Sequence, residues 1–140
     1  MGAMAISTLA GSLLIVNAPG APFLASLEPF LEGFTVFYWA TGTWWIPMLV
    51  VLIVWRHAYA RHPLRYDPLY WGAVFPLGMY AACTFAMAGA LKLEFLYVIP
   101  RFMVYVALAA WVLVFAGLAR AVTGAIITRY RTASRDGASV

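Results

Sequence analysis

Four stretches of this sequence, residues 1–17, 34–55, 70–91 and 100–119, are almost wholly apolar, and none holds an Asp, Glu, Lys, Arg or His well inside it. At a rise of about 1.5 Å per residue, the stretch from Phe34 to Trp55 reaches about 33 Å, enough to cross a hydrocarbon core of about 30 Å. Backbone polar groups inside a bilayer must be satisfied within the protein, which leaves helices or closed barrels. Continuous apolar runs of this length predict helices. With 65% hydrophobic and 10% charged residues, the whole chain departs from soluble composition in the same direction. The expected fold class is therefore an all-α integral membrane protein, with one transmembrane domain over residues 1–120 and a basic, flexible tail over residues 121–140. The first stretch is short for a span and begins without a polar flank, so it looks cut rather than like a signal peptide.

The breaks between the runs set orientation. Arg56, Arg61 and Arg65 follow the second run, and Arg120, Arg129, Arg131 and Arg135 follow the fourth, whereas Lys92 and Arg101 stand alone on the other side. The positive-inside rule puts the arginine-rich side, including the C-terminus, in the cytoplasm, with the cell membrane as the location. Arg56, Arg61 and Arg65 serve as topology determinants or attract anions to an inner mouth; both readings stand. Arg101 is expected to snorkel to the interface. Trp39, Trp44, Trp45, Trp55 and Trp71 fall in or near span ends, where aromatic residues anchor helices. Between the first two runs, LEPFLE could form a short interfacial helix. Asp67 before Pro68 reads as turn chemistry opening the third run.

The third run carries the most specific pattern. On a wheel at 100° per residue, Gly78, Ala82, Ala86 and Ala90 lie within about 60° of Phe75, so one ring heads a stripe of very small side chains. Pro76 removes the hydrogen bond to the Gly72 carbonyl just beside that ring. Such a stripe either allows close helix packing or faces a pore narrowed by Phe75. The first run repeats the theme, with Ala3, Ser7 and Gly11 at i, i+4, i+8 and Thr8 and Ser12 alongside. Its hydroxyls could line a pore or bond the i−4 carbonyl of their own helix. The second and fourth runs, rich in Leu, Val, Ile and Trp, look like lipid-facing supports.

Charges inside spans mark proton relays and coupled pumps, so a chain without them fits passive passage better. No catalytic arrangement, phosphate-binding loop, metal-ligand set or basic patch for nucleic acid is present in the sequence. No enzyme activity, cofactor, metal or nucleic-acid partner is expected. His57 and His62 are five apart, off the spacing of a helical metal pair. Cys83 cannot form a disulfide within the chain, being its single cysteine.

The stretches MGAMAISTLAG, FYWATGTWWIP and LRYDPLYWGAVFPLGMY together resemble the C-terminal part of the tellurite-resistance/C4-dicarboxylate transporter family, which includes the slow anion channels of plant guard cells. The resemblance runs from Met1 to about Leu118. It implies the last four helices of a ten-helix, five-hairpin fold, in which odd-numbered helices line a pore and even-numbered ones surround it. It implies a homotrimer for the complete protein, with small anions and the lipid bilayer as partners; C4-dicarboxylate, tellurite or a monovalent anion is the implied cargo. The family carries an occluding phenylalanine, and the matching position is Phe75, preceding Pro76. Phe75, Pro76, Gly78, Ala82 and Ala86 thus become the implied pore and gate residues, with Ser7 and Gly11 as possible pore-lining residues. The first six helices of the pattern have no counterpart, so the chain is expected to be a C-terminal fragment. The alternative is a small helical accessory or assembly subunit without its own pore.

Overall fold

The computed structural model describes residues 1–56 and 66–136, with side chains as far as Ile127 in the last helix. His57, Arg61, His62 and Arg65 lie outside the described residues. The described elements are helical: α1 (Gly2–Asn17), a short α2 (Pro22–Ser26), α3 (Glu28–Val54), α4 (Trp71–Ala90) and α5 (Val98–Asp136), with 3₁₀ turns at Ala18–Gly20, Pro68–Tyr70 and Glu94–Tyr97. Four of these helices, or their extensions, are long and apolar enough to cross a membrane. The all-α membrane fold class read from hydropathy is what the chain adopts.

Local chemistry explains most of the boundaries. Proline enters the first turn of α3, where its missing N–H would be unpaired anyway, and Glu28 places a negative charge at the positive end of the helix dipole. That start lies ahead of the expected one: LEPFLE is the first turn of the spanning helix, not a separate interfacial piece. Asp67 accepts a hydrogen bond from the Leu69 amide at 2.9 Å, the turn chemistry its position before Pro68 suggests. Pro76 sits inside α4 without ending it, because only the Gly72 carbonyl near the helix start loses its partner. The helix α4 closes in a Schellman motif: the Leu93 amide bonds the Ala88 carbonyl at 2.9 Å and the Lys92 amide the Gly89 carbonyl at 3.3 Å. The left-handed position falls on Lys92, at φ 55°. At the other end of the chain, α5 runs to Asp136, carrying helix well past the last apolar run. Its 39 residues span about 58 Å, well beyond a bilayer core of about 30 Å.

The helices pack side by side in the order α3, α1, α4, α5. Helices α1 and α3 are antiparallel: Gly42 of α3 faces Met4, and Gly11 of α1 faces Thr35. By contrast α1 and α4 run parallel, with Gly2 beside Pro76 and Ala5 clustered with Tyr80 and Cys83. The antiparallel α4–α5 pair is held at one end by Tyr97 over Gly89 and at the other by Tyr66 against Gly117. The two small-residue helices form the interior of this sheet of helices. Within the apolar stretches of α1 and α4, 33% and 39% of residues are buried, against 6% for α3 and 0% for α5.

Burial in lipid gives helices little hydrophobic reason to meet, so close packing and interhelical hydrogen bonds must hold them. Two such bonds, one turn apart, tie α3 to α4. The Trp39 indole donates to Thr84 Oγ1 at 3.0 Å, and the Tyr80 hydroxyl lies 2.9 Å from Thr43 Oγ1. Since Thr43 also bonds the Trp39 carbonyl at 2.8 Å, its proton is committed there and Tyr80 is the donor. The Trp39 and Tyr80 rings stack at 6.5 Å between these bonds.

Candidate functional site: an open face of α4

The stripe on α4 has a clear position. Phe75, at 59% exposure, and the exposed Gly78 and Ala82 share one face; Ala86 and Pro76 are half-buried at its edges. A Cβ built on Gly78 or on Gly72 would meet nothing within 4 Å. Helix α4 buries its other side, through Val74, Tyr80, Cys83, Thr84 and Met87. Met79, which shares the edge of the stripe on the wheel, turns instead into the cluster around Ala5, Tyr80 and Cys83. No helix of the described chain covers the small face.

Beside this face lies an open groove of about 610 Å³ between α4 and the start of α5. Gly78, Ala81, Ala82 and Phe85 form one wall; Tyr97, Pro100, Arg101 and Val104 form the other. Phe75 stands one turn below Gly78, outside the groove lining. The Phe85 and Tyr97 rings meet edge to face at 5.3 Å across the hairpin end. The groove is otherwise apolar, and Arg101 supplies its charge.

The residues expected on α1 are arranged differently. Gly11 is buried, and a Cβ there would collide with Thr35 Oγ1 and lie 3.2 Å from Thr35 Cβ. It is a contact point with α3 and faces no open space in this chain. Thr8 and Ser12 are buried and bond the Met4 and Thr8 carbonyls of their own helix at 2.9 and 2.8 Å, the internal use of hydroxyls rather than the lining one. Ser7 is half-buried at the edge of the α1 packing face. Arg56 is exposed just past the end of α3 and does not line the groove. Among the described residues, no group of three His, Cys, Asp or Glu side chains could hold a metal ion.

Reasoning from sequence passed over Tyr97, Phe85 and the groove position of Arg101. A signal was present: Tyr97 and Arg101 are i, i+4 at the hairpin end, on one side of the helix start.

The comparisons with known proteins point in one direction. A family model described as voltage-dependent anion channel matches residues 1–119. An uncharacterised membrane protein of Mycobacterium tuberculosis is 37% identical over 139 residues, covering 99% of this chain and 70% of that protein. An uncharacterised transporter of Methanocaldococcus jannaschii is 32% identical over 76 residues, 54% of this chain but 21% of its own length. A second transporter of that organism is 31% identical over 74 residues. No solved structure matches the chain.

Proposed function

The chain belongs to the voltage-dependent anion channel family, and from that premise we propose that it forms part of a passive path for small anions along the open face of α4. The observation that carries this reading is the unpartnered stripe itself: Phe75, Gly78 and Ala82 lie exposed on a helix whose opposite side is fully used in packing. Side chains this small leave room for an ion and its water, and Phe75 is the bulky group on the stripe that can close it. Spans without internal charges suit passage down a gradient rather than coupling to protons.

One open face does not enclose a path. The remaining walls would come from helices outside this chain, in keeping with its being the C-terminal portion of a larger channel that assembles as a homotrimer in the cell membrane. Arg56, with Arg61 and Arg65, would then raise anion concentration at the cytoplasmic mouth. C4-dicarboxylate, tellurite and monovalent anions are the cargoes that the resemblance brings into play.

The test is flux. The protein from its complete reading frame, reconstituted in liposomes, is expected to pass chloride, nitrate or succinate above protein-free vesicles, and Phe75→Ala is expected to raise that flux several-fold. No flux from any of these anions, with the protein folded and inserted, contradicts the reading. Flux unaltered by Phe75→Ala removes the gate assignment alone.

A further inference from the structure

We infer that Tyr66 is a positioning residue for the Phe75 ring: seated on Gly117 of α5, it holds the Trp71 indole one helical turn from Phe75 and so keeps that ring on the open face of α4. This deepens the proposed function, since it rests on Phe75 being the group that closes the path.

Three observations lead there. First, the two parts of α4 are held differently. After Pro76, Tyr80, Cys83, Thr84 and Met87 are buried, and Tyr80 and Thr84 are hydrogen-bonded to α3. Before Pro76, Val74 is the buried residue of α4, and a Cβ on Gly72 would meet nothing within 4 Å. The missing N–H of Pro76 loosens the join between the two parts. Second, Tyr66 ties down the front part. Its hydroxyl accepts a hydrogen bond from the Trp71 indole N–H at 3.1 Å. Its ring lies so close to α5 that a Cβ on Gly117 would stand 3.2 Å from Tyr66 Cδ2 and 3.6 Å from Tyr66 Cβ. Third, Trp71 is placed to act on Phe75. The two are i, i+4 on α4 and share a face.

Helix geometry turns these contacts into a relay. A long side chain leans over the turn N-terminal to its own Cα, which for Phe75 is the turn of Trp71 and Gly72. Gly72 offers no side chain, so Trp71 is the neighbour on that turn that bounds the ring. An indole tied to Tyr66 holds its rotamer and limits that of Phe75; an indole set free can turn aside and let the ring follow. A change at Gly117 of α5 therefore reaches Phe75 through two side chains, neither of which lines the stripe. Because proximity alone does not establish such coupling, the test is a cycle that measures it.

The experiment is a double-mutant cycle on chloride flux through the complete protein in liposomes. Tyr66→Phe keeps the ring and removes the acceptor; Gly117→Ala pushes on the same ring from α5. Each is expected to raise flux about threefold, the shift in a closed-to-open equilibrium that one membrane hydrogen bond of average strength allows. In a Phe75→Ala background neither should raise flux further. Thermal melts report whether each variant folds. A residue that merely stabilises the fold would change flux by the same factor in both backgrounds, and that result overturns the inference. So does unchanged flux in folded Tyr66→Phe and Gly117→Ala proteins where Phe75→Ala itself raises it; the gate then stands without the relay. A second readout needs no transport: in a Cys83→Ser background, a nitroxide attached at Phe75→Cys should become more mobile by electron paramagnetic resonance when Tyr66→Phe is added, and an unchanged spectrum overturns the relay. A spectrum that responds to Tyr66→Phe, with flux indifferent to Phe75→Ala, supports the positioning role and removes the gate instead.

Discussion

Two stripes of small residues in this chain look alike in sequence and end in opposite environments. On α1, Gly11 and its neighbours are pressed against Thr35 of α3; on α4, Gly78 and Ala82 face open space. Small side chains at helical spacing permit close approach of another backbone, but they do not say whether one arrives. What decides is the rest of each face. The α1 stripe is bordered by Thr8 and Ser12, whose buried hydroxyls are satisfied by carbonyls of their own helix and so ask nothing of the neighbour that packs there. The α4 stripe is headed by Phe75, whose ring is exposed, and meets α5 only across an open groove.

The sharpest way to break this contrast is to make the same change in both places. Gly11→Val should destabilise the protein by about 1–3 kcal/mol, because the new atoms overlap Thr35 and neither backbone can easily retreat. Gly78→Val should leave stability within about 0.5 kcal/mol of wild type while cutting anion flux. Thermal or detergent unfolding reads the first number, liposome flux the second. Equal destabilisation by the two would erase the distinction.

A smaller effect sharpens the closed side of the comparison. Trp39→Phe keeps the stacking ring but removes the donor to Thr84, so α3 should loosen from α4 by about 0.6 kcal/mol, the usual worth of an interhelical hydrogen bond in a membrane protein. Flux should be unaltered, since neither residue lies on the open face. The smallest change concerns the hairpin that frames the groove. Lys92→Gly relieves a left-handed residue costing about 1 kcal/mol, offset in part by the greater chain entropy of glycine, about 0.5–1 kcal/mol. A net gain of a few tenths of a kcal/mol in the same unfolding assay is expected; a loss would mean that the Lys92 side chain itself holds the turn.

Much of this architecture was legible before any coordinates. The alternation of small-residue with bulky helices was plain, because residue volume is written directly in the sequence, and the structure buries the small-residue helices α1 and α4 most. The turn at Asp67 was equally plain, as its side chain acts on an amide two residues away. Helix ends were less so. Hydropathy marks where a chain enters lipid, not where its helix stops: α3 starts ahead of its apolar limit behind a well-placed proline, and α5 runs on through Val122, Thr123, Gly124, Ile126 and Ile127, which propensity alone would not favour. The two stripes could not be told apart at all from spacing, since their difference lies in a partner distant in sequence. Arg101 was read only as an interfacial anchor for the same reason: the groove it lines exists because Gly78 and Ala82, some twenty residues away, lie opposite it.

The measurement that bears most directly on the account is water accessibility along α4. In a Cys83→Ser background, cysteines placed at Gly78, Ala82 and, as a lipid-facing control on α5, Leu113 would be exposed to a charged, membrane-impermeant thiol reagent in reconstituted protein. If the open face of α4 is the conducting surface, Gly78→Cys and Ala82→Cys should react and lose flux on modification, while Leu113→Cys stays inert. If the α4 positions prove as unreactive as Leu113→Cys, that face is in contact with lipid or protein, and the path for anions lies elsewhere.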